Sequence, residues 1–228
     1  MSEQKMTGRL FVSAIAKFVL GAVLVGALIF LPAGSLHYPA GWRLMLILFV
    51  PMFLAGIVMM LRNPGLLKSR LNAKENEKEQ QSVVKLSGLM FIAGFVLAGL
   101  DYRFGWLPLP GWVSWLGTFL FLASYALYAE VLRENTYLSR IIEVQQGQKV
   151  IDTGLYGIVR HPMYAVTLVL FVSMPLVLGS MIALVCFLAY PFIIAKRIRN
   201  EEQVLEAQLE GYREYKQKVR YRLIPYIW

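Results

Sequence analysis

The chain of 228 residues is poor in the side chains from which most soluble enzymes build a site. Its single cysteine, Cys186, lies in an apolar run, so an intrachain disulfide is excluded. Two histidines, His37 and His161, are too few for a conventional zinc centre, and no metal is expected. The chain has no GxSxG elbow, HExxH, GxGxxG or Walker-type P-loop. Those absences remove the serine-hydrolase, zincin, Rossmann and P-loop solutions. Charge is scarce as well: charged residues make up 16% of the chain, against about 25% in a soluble domain. There is no internal repeat and no low-complexity segment.

What is present is hydrocarbon. Apolar residues reach 57% and the mean hydropathy is +0.55, so the surplus needs a bilayer as its solvent. The net charge of +9 and pI near 9.7 do not imply nucleic acid. The Lys and Arg lie between and after apolar runs, where loops on one membrane face carry them. Six runs are legible, at 11–31, 42–61, 84–100, 112–132, 162–179 and 181–196. A hydrocarbon core of about 30 Å takes about 20 helical residues, and the first four runs fit. The last two are short and meet at Leu178-Gly179-Ser180, so they form a tight helical hairpin with kinks expected at Pro175 and Pro191. The first run follows Lys5 and Arg9, and its small residues Pro32-Ala33-Gly34-Ser35 imitate a signal-cleavage site. Its apolar core exceeds a signal h-region of about 7–15 residues, so a retained anchor is expected.

The expected fold is therefore an all-α integral membrane protein of about six transmembrane helices, the last two a hairpin, followed by a C-terminal cytoplasmic amphipathic helix, with no Rossmann domain. Residues 1–132 form a four-span membrane region with a solvated cytoplasmic linker at 62–85; residues 133–228 form the catalytic region. With an inside N-terminus the outer loops hold only Arg43 and Arg103, and Lys17 lies within the first span. The other 20 of 23 Lys and Arg then face the cytoplasm, which places both termini there. Trp42, Trp106, Trp112 and Trp115 fall near outer span ends, where indoles favour the interface.

Chemistry concentrates in three pieces of the catalytic region. In QKVIDTGLY (148–156) the Thr-Gly pair signals a turn, and an extended run before it exposes backbone groups to a ligand; an ordinary loop is the plainer reading. In RHPMY (160–164) Pro162 suits the first turn of a helix, and His161 and Tyr164, three apart, share a side. That motif is either the polar rim of an interfacial pocket or a headgroup anchor. In KRIRNEE (196–202) Arg197 and Glu201 share a helical face, as either a site or a basic cap. The helix that follows carries Tyr212 and Tyr215, which either lie on the membrane or cover a cleft.

Taken in order, I-x-T-G-x-Y-x-x-x-R-H-P-x-Y, a short membrane hairpin, R-x-x-x-E-E, then G-Y-x-x-Y and R-L-I-P resemble the isoprenylcysteine carboxyl methyltransferase family over about residues 143–228. More loosely they resemble membrane phospholipid N-methyltransferases. The resemblance implies an integral membrane enzyme that uses S-adenosylmethionine without a Rossmann domain and releases S-adenosylhomocysteine. It implies cofactor contacts at Gln148, Lys149, Val150, Ile151, Tyr156, His161, Pro162, Met163, Tyr164 and Glu201. It puts the substrate-contacting Arg at Arg197, with Arg199 as fallback, and a further cofactor contact near Glu143. Arg197 and Glu201 are the candidate catalytic pair. The implied partners are a lipophilic or lipidated substrate and membrane lipid, with no nucleic acid.

A carboxylate acceptor is already ionised near neutral pH and needs no general base, only a cation that orients it. An amine acceptor would first have to lose a proton, to His161, Glu201 or Glu202. The arginines favour carboxyl methylation, with a phospholipid amine or a small lipophilic acceptor as alternatives. A transporter or membrane scaffold is the non-enzymatic alternative. It is disfavoured because Lys17 is the only charge well inside a span.

Overall fold

The computed structural model describes residues 2–62, 64–71, 78–138, 142 and 144–228, so Glu143 lies outside the described residues. Helix follows wherever the apolar runs allow it. The helices are α1 (Ser2–Ala33), α2 (Pro39–Arg62), α3 (Pro64–Leu71), α4 (Lys78–Phe104), α5 (Gly111–Glu134), α6 (Pro162–Leu178), α7 (Met181–Phe187), α8 (Tyr190–Gln208) and α9 (Tyr212–Lys218). Stretches long and apolar enough to cross a membrane occur at Leu10–Ala33, Pro39–Arg62, Gln81–Phe104, Gly111–Glu134 and Met181–Gln208. At 1.5 Å per residue, a 24-residue stretch spans about 36 Å, more than the hydrocarbon core needs. Helix α6 is a shorter apolar helix of 17 residues. Leu20, Val23, Leu31, Leu46, Leu54 and Leu61 are exposed on α1 and α2, as side chains facing lipid would be.

Glycines let the helices approach. A Cβ on Gly117 of α5 would stand 2.6 Å from Leu176 Cβ and 2.8 Å from the Val177 nitrogen, so α5 and α6 touch backbone to backbone. One buried cluster then runs through the bundle, from Ile29 and Leu44 through Phe121 and Phe187 to Ile198 and Leu223. It joins residues on both sides of position 133.

The expected hairpin is present, with Gly179 capping α6 in the left-handed region at φ 74°. Its tip is tied to the last turn of α4, which also holds the loop after it: Ser180 Oγ donates to Asp101 Oδ2 at 2.6 Å, and the Leu107 amide donates to Asp101 Oδ1 at 2.8 Å. The returning arm differs from expectation. It breaks at residues 188–189, and Pro191 sits in the first turn of α8 rather than kinking a continuous helix.

Lys17 finds its partner in the 62–85 linker, where its ammonium donates to the Leu71 carbonyl at 2.8 Å at the end of α3. One further departure has a local cause. The helix expected beyond Glu202 is divided between α8 and α9, because Gly211 takes a left-handed turn at φ 80°.

Candidate active site

The last turn of α5 sets one wall. Glu134 accepts from Thr153 Oγ1 at 3.0 Å and from the Leu155 amide at 3.2 Å, which pins the Thr-Gly turn to the helix end. Gly154 sits there at φ 50°, and an added Cβ would run into the Glu134 carboxylate. A 3₁₀ turn over Gly154–Gly157 follows. The segment 148–152 before it has no regular structure, so its backbone is not spent on a ladder. Gln148, Lys149, Val150, Ile151 and Tyr156 all line a cleft at this end of the bundle.

The opposite wall comes from α6 and α8. His161 caps α6 and Pro162 opens it, which projects Tyr164 one turn in, with the His161 and Tyr164 rings 5.7 Å apart and stacked. Arg197 Nε donates to the Tyr164 hydroxyl at 2.9 Å, and that hydroxyl donates to Glu201. The imidazole Nδ1 stands 3.9 Å from Glu201 Oε1. Arg197, Tyr164, Glu201 and His161 thus form one connected group, and all four line the cleft together with Met163.

Glu202, its neighbour, has a different task. Its carboxylate accepts from Arg160 Nε at 2.8 Å and Arg222 Nε at 2.8 Å, and lies 3.3 Å from His161 Nε2. Arg160 also donates to the carbonyls of Val219 and Arg220, both at 2.7 Å. The Arg160 and His161 amides donate to the Tyr221 and Arg222 carbonyls, both at 2.9 Å. A buried guanidinium with these partners is no headgroup anchor. It ties the start of α6 to α8 and to the chain after α9, and Glu202 is fully engaged in holding it. The role of proton acceptor weighed for Glu202 therefore does not fit.

Two expected contacts do not reach the cleft. Pro162 is buried in the first turn of α6 and serves as a helix start. Arg199 is exposed. At about 100° per residue, two positions beyond Arg197 faces nearly the opposite way. Conversely, Asn135, Tyr137, Arg160, Leu205 and Leu209 line the cleft without having been assigned. Tyr212 and Tyr215, expected on the membrane or over a cleft, do cover it. The Tyr215 hydroxyl donates to the Tyr156 carbonyl at 2.7 Å, and Lys218 Nζ bonds Asp152 Oδ2 at 2.6 Å. Burial pushes the Tyr212 and Tyr215 phenols above the ordinary tyrosine range, whereas Lys218 holds the Asp152 carboxyl below the ordinary carboxylate range. Both phenols are therefore neutral walls.

Comparison with known proteins points to one family for this part of the chain. Residues 115–207 match the model of the isoprenylcysteine carboxyl methyltransferase (ICMT) family. A Delta(14)-sterol reductase of Mus musculus is 30% identical over 90 residues; the match covers 38% of this chain and 22% of the reductase. The chain thus spans less than a quarter of that relative's length. Among solved structures, the eukaryotic intramembrane Ras methyltransferase ICMT, without a monobody, superposes with a TM-score of 0.53 at 17% identity. That superposition covers 98% of this chain and 97% of the other, which extends the shared fold across the described bundle. Residues 115–207, the stretch that matches the isoprenylcysteine carboxyl methyltransferase family model, contain every site position expected from the sequence.

Proposed function

We propose that the cleft binds S-adenosylmethionine and serves methyl transfer to a carboxylate on a lipophilic, isoprenylcysteine-like acceptor at the cytoplasmic edge of the membrane. The observation that carries this reading is the convergence of Gln148, Lys149, Tyr156, His161, Tyr164, Arg197 and Glu201 on one hollow. The lining fits such a cofactor chemically. Glu201 offers a carboxylate to an ammonium, Gln148 and Lys149 offer polar groups, and Val150, Ile151, Met163 and Tyr156 offer apolar walls for a nucleoside. The cleft measures about 90 Å³, below the ~300–1,000 Å³ of a drug-sized pocket. A nucleoside ligand would therefore project beyond this volume or need the cleft to widen.

When bound, S-adenosylmethionine supplies an electrophilic methyl group on a sulfonium. The remaining work is alignment, and it falls to this chain's residues. Tyr164 fixes the Arg197 guanidinium through Nε, and a guanidinium so oriented suits a carboxylate. Glu201, fixed through the same hydroxyl, holds the cationic part of the cofactor. An acceptor carboxylate needs no base, which agrees with Glu202 being committed to Arg160 and Arg222.

Calorimetric titration of purified protein with S-adenosylhomocysteine tests these roles. Arg197→Ala is expected to bind within about threefold of wild type while methyl transfer is lost, and Glu201→Ala and Tyr164→Ala to bind at least about tenfold more weakly. Normal affinity in all three variants contradicts the assignment.

The match to a sterol reductase supports a second reading, reduction of a lipophilic substrate by a hydride donor in the same hollow. Methyl transfer leads because the matched family model covers both helices that hold the Arg197–Tyr164–Glu201 group. Oxidation of a reduced nicotinamide dinucleotide on adding a sterol, with no binding of S-adenosylhomocysteine, would favour the reductase.

A further inference from the structure

Tyr212 lines the cleft from the first position of α9 and is 4% exposed. Its hydroxyl is closed off from solvent and has no hydrogen-bond partner among the described residues. Tyr215, one turn on, is as buried but donates to the Tyr156 carbonyl at 2.7 Å. Leaving a hydroxyl buried and unpaired is costly, and a phenylalanine would fill the same space without that cost. The backbone meanwhile holds the ring in place. Gly211 makes the left-handed turn, the Tyr212 amide donates to the Leu209 carbonyl at 3.2 Å, and Arg160 grips the Val219 carbonyl at the far end of α9. An oriented, unsatisfied hydroxyl in the wall of a cleft implies a partner that arrives with the ligand.

The surroundings indicate which part of the ligand. The charges acting on the Tyr212 phenol are Glu202, Glu201 and Arg160, whereas those acting on Tyr215 are Arg160, Asp152 and Glu134. Tyr212 shares the lining of the cleft with Arg160, Arg197 and Glu201, whose charges of both signs suit a zwitterion. A neutral phenol there donates one hydrogen bond and accepts others. We propose that the Tyr212 hydroxyl binds the amino-acid end of the methyl donor, donating to its carboxylate while Glu201 takes its ammonium. This rests on reading the cleft as an S-adenosylmethionine site.

The test uses the full chain in lipid nanodiscs and the substitution Tyr212→Phe, which removes only the hydroxyl. Two probes are titrated: S-adenosylhomocysteine, and 5′-methylthioadenosine, which keeps the nucleoside and lacks the amino acid. The variant is expected to bind S-adenosylhomocysteine about tenfold more weakly, a loss of about 1.4 kcal/mol, and to bind methylthioadenosine as wild type does. Its ligand-free melting temperature is expected to equal or exceed that of wild type, since no bond within the protein is lost. Unchanged S-adenosylhomocysteine affinity, equal weakening of both probes, or a lowered ligand-free melting temperature would each overturn the proposal. Failure of the wild-type protein to bind either probe overturns the reading of the cleft itself, and the role of Tyr212 with it.

Discussion

Arg197 is 9% exposed and held by Tyr164, so its value to the site is its plane as much as its charge. A lysine keeps the charge but not the planar fork. Arg197→Lys is therefore expected to lower methyl transfer at least about a hundredfold while cofactor affinity stays within about threefold, read by labelled-methyl assay beside calorimetry. Glu202 is the structural counterpart. With side chains of Arg160 and Glu202 both under 5% exposed, Glu202→Gln strips a buried guanidinium of its counter-charge. Losing one member of such a pair costs about 3–5 kcal/mol, so a clearly lowered melting temperature is expected in a thermal scan. Spacing put His161 beside Tyr164 and Arg197 beside Glu201 on two helices, but it left each pair open between a site and a plain anchor or cap, and only the family resemblance joined the two pairs into one candidate site. The partners of Arg160 were not legible. Glu202 is 42 positions away and the Val219 carbonyl 59, and no local periodicity encodes such pairings. Arg199, the fallback to Arg197, is exposed and outside the cleft lining for a different reason: a run of arginines names the neighbourhood, whereas helical phase names the face.

At the scale of elements, the decisive join is between α5 and the Thr-Gly turn. Gly154 is required twice, by its φ of 50° and by the Glu134 carboxylate that occupies the space of a Cβ. Gly154→Ala is expected to push the 148–152 segment off its wall and weaken S-adenosylhomocysteine binding at least about tenfold. Adding Glu134→Ala removes the collision but keeps the backbone strain, so calorimetry on the double variant is expected to show only partial recovery. The turn itself was visible in the sequence as Thr153-Gly154. The carboxylate that makes glycine necessary was not, since it belongs to another element 20 residues earlier. Helix breaks were read less well than helices. Pro191 marked a start rather than a kink, and Gly211 divided a helix that amphipathic spacing alone would have continued.

At the scale of the molecule, the hydrophobic pattern placed the long helices and their hairpin, because apolar length is a property of the chain alone. It did not reveal that α5 and α6 press together at Gly117, or that the buried cluster runs from Ile29 to Leu223. The charge asymmetry predicts a sidedness that labelling can check. Single cysteines at positions 70 and 213, in a Cys186→Ser background, are expected to react with an impermeant maleimide only from the cytoplasmic side, and one at 107 only from the other. The central claim is that a polar cleft at the membrane edge presents a methyl donor to an oily carboxylate. Its most direct test is transfer of labelled methyl from S-adenosylmethionine to a prenylcysteine analogue by purified protein in nanodiscs, with product scored for release by mild base. The account predicts a base-labile methyl ester that Arg197→Lys nearly abolishes; a cofactor-binding protein that labels only phospholipid amines, in a base-stable form, would contradict it.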